Sequence, residues 1–117
     1  MIYLVLLFIK HYIVDFRWQT DDMVIGKAIY GDSRGVNHSL QHAILTLWIT
    51  FFVTSNAPLS VLLSIVDGVL HYHVDWAKMN YGCRDITNKK FWEHLGLDQL
   101  AHALTYIVLA SYVATLG

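Results

Sequence analysis

Three stretches of the chain carry no Lys, Arg, Asp or Glu. They are residues 1–9 (MIYLVLLFI), 43–66 (AILTLWITFFVTSNAPLSVLLSIV) and 99–117 (QLAHALTYIVLASYVATLG), the last holding only the titratable His102. All eight Lys and Arg fall in two polar windows, from Lys10 to Arg34 and from Lys78 to Lys90. The middle stretch breaks at Ser55-Asn56-Ala57-Pro58. Proline in a first helical turn, after small polar residues, ends one helix and starts the next. The pattern predicts four helices, roughly 1–18, 37–55, 58–79 and 98–116. Each is about 18–22 residues, or roughly 27–33 Å at the α-helical rise, which matches a hydrocarbon core about 30 Å thick. Segments such as LTLWITFF and TYIVLASYVATL lack the polar face that a soluble bundle helix keeps along its length. The expected fold is therefore all-α: one domain over 1–117, a four-helix transmembrane bundle running up-down-up-down. Residues 19–36 and 80–97, with Gly26, Gly31, Gly35, Gly82 and Gly96, read as two polar loops with short amphipathic helices.

Composition sharpens this picture. Hydrophobic residues make up 56% of the 117 and charged residues 15%, which excludes a disordered or solvated charge-rich chain. A net charge of −1 gives no field to attract nucleic acid. The single cysteine, Cys83, excludes a disulfide framework and a CxxC zinc motif. The first nine residues lack the basic n-region of a cleaved signal peptide. Both basic windows lie on one side of an up-down bundle, so the positive-inside rule places loops 19–36 and 80–97 in the cytoplasm and both termini outside. The lipid bilayer is the first expected partner, and a homo-oligomer is compatible with the pattern.

Seven histidines in so apolar a chain direct attention to chemistry. The first helix ends with His11-x3-Asp15, the second begins with His38-x3-His42, the third ends with His71-x3-Asp75, and the fourth begins with Asp98-x3-His102. A spacing of four places both members of a pair on one helical face. Alternating helix direction brings all four pairs to one depth, near the cytoplasmic side. Metal sites inside helix bundles are built from such inward-facing pairs. An aspartate at a helix centre in a membrane costs about 2.5–3.5 kcal/mol on insertion scales, and a divalent cation offsets that cost. The expected ligands are His11, Asp15, His38, His42, His71, Asp75, Asp98 and His102. Imidazole with carboxylate suits zinc first, then manganese, iron or nickel, as one or two ions. A hydrogen-bonded His/Asp network without metal is the competing reading.

Other residues carry weaker signals. Gln19 and Gln99 flank the pairs as hydrogen-bonding partners or interfacial polar groups. Lys27 and Lys78 lie closest to the pairs and suit a phosphate or a snorkelling role. Lys10 is expected to snorkel or to pair with an aspartate, and Asp67 continues the His71 face by one turn. His73 points away from that face, and His94 is expected in a loop. Trp18, Trp76 and Trp92 read as interfacial anchors, and Trp48 as a packing residue.

Taken together, His11-x3-Asp15-Phe16-x2-Gln19, Lys27, His38-x3-His42, His71-x3-Asp75-x2-Lys78 and Asp98-Gln99-x2-His102 resemble a family of small phage and bacterial membrane proteins of unknown function. The resemblance implies a bacterial inner-membrane, multi-pass location, with a phage-encoded origin among its sources. A looser likeness is to inner-membrane metal-dependent hydrolases, through Asn37-His38-Ser39 and Leu70-His71-x3-Asp75, with the first residue of each motif different. It implies zinc and hydrolysis.

The leading functional expectation is a membrane metal-dependent hydrolase acting on a lipid or phosphate-containing substrate. Asp15 or Asp98 would serve as ligand or general base, and Lys27 and Lys78 would hold the phosphate. The alternatives are an ion or proton transport component, and a phage structural or exclusion protein that uses the metal for folding. Against transport stands the absence of His, Asp or Glu from residues 44–66.

Overall fold

In a computed structural model that describes residues 1–116, the chain forms α1 (Ile2–Tyr12), a π-helical segment (Ile13–Arg17), α2 (Asp21–Lys27), α3 (Ser33–Thr54), α4 (Ala57–Tyr81) and α5 (Lys89–Leu116). Gly117, the terminus expected to face outward, lies outside the described residues. The fold is all-α, with five α-helices among the described residues.

Local chemistry sets the boundaries. Thr20 Oγ1 accepts from the Met23 N–H and starts α2. Asp32 accepts from the Arg34 N–H and starts α3, and the Arg34 guanidinium holds the Asp32 carboxyl down at about 2. Ser55 turns into the left-handed region at φ 53° and closes α3. Asn56 then accepts from Leu59 N–H, and Pro58 completes the first turn of α4, as the tetrapeptide break predicts.

Three boundaries differ from expectation. The first helix does not run evenly to residue 18. It widens after Tyr12 into a π-helical turn, with Trp18 N–H bonded to Ile13 O at 2.9 Å. The start of the second expected helix is also displaced: α3 begins at Ser33, four residues early, behind its Asp32 cap. The expected loop 80–97 is mostly helix, because α5 starts at Lys89, where Asn88 Oδ1 accepts from Lys90 N–H. Gly96 and His94 are therefore helical. A mid-helix glycine costs about 1 kcal/mol relative to alanine, too little to break a 28-residue helix.

Two helices, α4 and α5, are long and apolar enough to cross a membrane. The expected four spans are thus only half supported by length and composition. The α1 helix is short at 11 residues, and α3 opens on the polar run SRGVNHSLQ.

Burial is inverted relative to a water-soluble bundle. Seven hydrophobic residues are buried among the described residues, against sixteen polar or charged ones. Each helix buries its polar stripe: His38, His42, Thr46 and Thr50 on α3, and Ser60, Ser64, Asp67, His71 and Asp75 on α4. Large apolar side chains face outward instead, including Phe52 at 79% exposure. Trp48 is 63% exposed, a correction to its expected packing role: it sits two residues from Thr46 and Thr50, so their burial turns it out. A small apolar cluster of Tyr3, Leu7, Leu59, Leu63, Tyr106 and Leu109 closes the end away from the loops.

Candidate metal centre

The four predicted pairs meet in one layer of the bundle. The π-helical turn carries Asp15 and aims its Oδ1 at α3, where His42 Nε2 lies 2.8 Å and His38 Nε2 2.9 Å away. Such turns are frequent at functional sites. From α4, His71 Nε2 approaches the same oxygen at 3.5 Å and faces His38 Nε2 at 3.3 Å. The His42 and His71 rings lie 3.6 Å apart between centroids, and His71 and His102 stack at 3.9 Å.

Two donor groups emerge that could hold a metal ion: Asp15, His38, His42 and His71; and His71, Asp75 and His102. In each, the donor atoms lie within 4.8 Å of one another, and every residue is buried. The spacing fits coordination chemistry. Tetrahedral zinc with bonds of about 2.0–2.1 Å places neighbouring ligand atoms about 3.3 Å apart. A proton-only network fits less well. Three Nε2–H groups directed at Asp15 Oδ1 would set the His38 and His71 protons head to head across 3.3 Å. The Nδ1 atoms of His38, His42 and His71 have no hydrogen-bond partner among the described residues.

The second half of the cluster is ion-paired. His71 Nε2 lies 3.0 Å from Asp75 Oδ2, and His102 Nε2 lies 3.2 Å from Asp75 Oδ1 and 3.0 Å from Asp98 Oδ1. Lys27 is buried, with Nζ 3.1 Å from Asp75 Oδ2. Lys78 Nζ lies 3.2 Å from Asp98 Oδ2 and keeps a quarter of its side chain exposed. Asp98 and Lys78 line one wall of a cavity of about 270 Å³, with Val74, Tyr81 and Leu97 as apolar neighbours.

His11 and Asp98 stand outside both donor groups. His11 has protein partners at both nitrogens: Gln99 Oε1 at 2.7 Å from Nε2 and the Tyr106 hydroxyl at 2.8 Å from Nδ1. Gln99 also donates to Asp98 Oδ2 at 3.1 Å, and Gln19 donates to the Asp15 carbonyl.

The weaker expectations also find their places. Asp67 is buried but apart from the donor groups: Lys10 Nζ donates to it at 2.7 Å, and Thr46 Oγ1 donates at 2.6 Å. His73 is exposed and bonds to Val69 O and the Tyr30 hydroxyl. His94 Nδ1 accepts from Cys83 N–H. Sequence reasoning missed Tyr106 and Thr46. Both were detectable, since each continues a stripe by four residues, from His102 and from His42.

A family model described as a protein of unknown function (DUF3307) matches residues 3–117. The chain belongs to the DUF3307 family. No curated protein and no solved structure matches this DUF3307 chain. The family description assigns no activity, so the function rests on the buried His/Asp cluster.

Proposed function

We propose that this DUF3307 chain is an integral membrane protein with a divalent-metal centre in the loop-proximal half of its bundle. Its proposed activity is metal-dependent hydrolysis of a lipid or other phosphate-containing substrate. The observation that carries the reading is the convergence of Asp15, His38, His42 and His71 from three segments onto one buried point. The bilayer part rests on the inverted burial, with apolar side chains outside and polar ones inside, together with the two long apolar helices. The topology is that of four membrane-embedded segments with both polar windows in the cytoplasm, and the looser hydrolase likeness favours zinc.

Held by Asp15, His38, His42 and His71, a divalent ion would supply an activated water and polarise a phosphoryl or acyl oxygen. The chain's own residues supply the rest. Lys78, at the cavity wall, holds the substrate's anionic oxygens. Asp98 Oδ1 takes the proton of the attacking water, and His102, 3.0 Å away, holds that carboxylate in place. Val74, Tyr81 and Leu97 offer an apolar wall to an acyl or prenyl chain.

Metal analysis of the detergent-purified chain, followed by phosphate release from phosphatidic acid in mixed micelles, tests the reading. Bound metal and chelator-sensitive release support it. Bound metal without hydrolysis of any phospholipid or acyl probe would leave a folding role for the metal. Absence of metal would refute the reading outright.

Transport is the second reading, and one observation favours it. Buried Thr46, Thr50, Ser60, Ser64 and Tyr3 continue the polar interior past Lys10–Asp67 toward the far end. Residues 44–66 are bare of acids and histidine, yet they line the interior with hydroxyls.

A further inference from the structure

The cluster offers two donor groups but only one shared imidazole nitrogen. His71 Nε2 has a single lone pair, so it can serve the Asp15 side or the Asp75 side at one time. On the Asp15 side it joins three further donors; on the Asp75 side it joins two. A cation already stands at Asp75. Lys27 Nζ lies 3.1 Å from Asp75 Oδ2, and the whole lysine is 6% exposed.

Lysine reaches that depth through a built contact. Backbone of α2 and α3 meet where a Cβ on Gly35 would lie 3.0 Å from Gly26 O and 3.1 Å from Lys27 Cα. A Cβ on Gly26 would lie 2.9 Å from Gly35 N. Only two glycines allow that approach, and it carries Lys27 over the start of α3 and into the cluster.

Charge balance agrees. Three carboxylates, Asp15, Asp75 and Asp98, face two lysines, Lys27 and Lys78, while Asp67 is matched by Lys10. The lysines fall one short of the carboxylates. One divalent ion would bring the site close to neutrality. Two divalent ions would leave a large positive excess in a buried site, which desolvation opposes.

We propose that the centre is mononuclear: one divalent ion at Asp15, His38, His42 and His71, with the Lys27 ammonium as the resident cation at Asp75. This rests on the metal reading above and goes on to assign its stoichiometry. Lys27 is a positioning residue that holds Asp75 and His102 beside the ion rather than a grip for substrate.

Zinc stoichiometry tests the assignment. The full chain in detergent is loaded with excess zinc, desalted and measured for zinc per chain. Wild type is expected to hold one ion, and so are Lys27→Arg and Lys27→Met, because His71 serves one side at a time; Lys27→Met is expected to melt lower than wild type, and Lys27→Met with Asp75→Asn to recover most of that loss. Two ions in wild type would overturn the mononuclear assignment, and an unchanged melting temperature in Lys27→Met would remove Lys27 as the resident cation; either result leaves the metal reading intact. Zero in wild type would remove the metal reading and this inference with it. Should Lys27→Met fail to fold, Lys27→Gln replaces it, and the wild-type count of one or two still decides.

Discussion

His38 Nε2 and His71 Nε2 face each other across 3.3 Å, on different helices, with Asp15 Oδ1 within 3.5 Å of both. Two neutral imidazoles can share one proton at that distance, but the same two nitrogens cannot both donate to Asp15 while doing so. A metal ion satisfies all three atoms together, and this juxtaposition makes the centre testable one residue at a time.

Asp15→Asn and Asp75→Asn should part ways. Both keep side-chain volume, so neither opens a cavity. Asp15→Asn removes the anionic ligand, and bound zinc should fall at least tenfold. Asp75→Asn leaves the Lys27 ammonium buried without its partner, a loss of about 3–5 kcal/mol in stability, with zinc retained. Zinc content and thermal unfolding on the same preparations read both effects. Retention of zinc by Asp15→Asn would move the ion away from the π-helical turn.

The Lys10–Asp67 pair, at 2.7 Å with both side chains 1% exposed, should behave as a buried ion pair. Lys10→Met or Asp67→Asn alone should cost about 3–5 kcal/mol, and Lys10→Met with Asp67→Leu should recover most of that loss. Denaturant unfolding in detergent micelles measures all three. Additive losses in the double variant would contradict the coupling.

Gly35→Ala should loosen α2 from α3. The added Cβ meets backbone rather than a flexible side-chain end, so the helices must separate, at a cost of about 1–3 kcal/mol. Faster proteolysis within Asp21–Lys27 is the expected readout. Unchanged cleavage would mean that the backbone contact does not hold Lys27 in place.

Cys83, the one cysteine, reports topology without engineering. A membrane-impermeant maleimide should leave it unlabelled in intact cells and label it in inside-out vesicles. A Gly117→Cys chain in a Cys83→Ser background should give the opposite pattern. Labelling of Cys83 from outside would reverse the proposed orientation.

The linear pattern carried much of this. The all-α class, the α3–α4 break at Asn56 and Pro58, and the convergence of His38, His42, His71, Asp75 and His102 all follow from helical periodicity and alternating chain direction. Those are local rules: a spacing of four always returns to one face, and consecutive antiparallel helices always bring alternating ends together. The same rules reach Tyr106 and Thr46 once the stripes are extended by a turn.

What lay beyond sequence was decided by contacts between distant segments. The π-helical turn at Asp15 arises in a stretch, Ile13–Arg17, whose composition suits an ordinary helix. Lys27 read as a phosphate-holding or snorkelling lysine near the pairs, and only the Gly26–Gly35 approach, between separate helices, buries it against Asp75. His11 carried the same motif as the other histidines, yet Gln99 and Tyr106 occupy both its nitrogens. Periodicity assigns a side chain to a face but not to a partner. Partners depend on how far two backbones can approach, and only the packed bundle sets that distance.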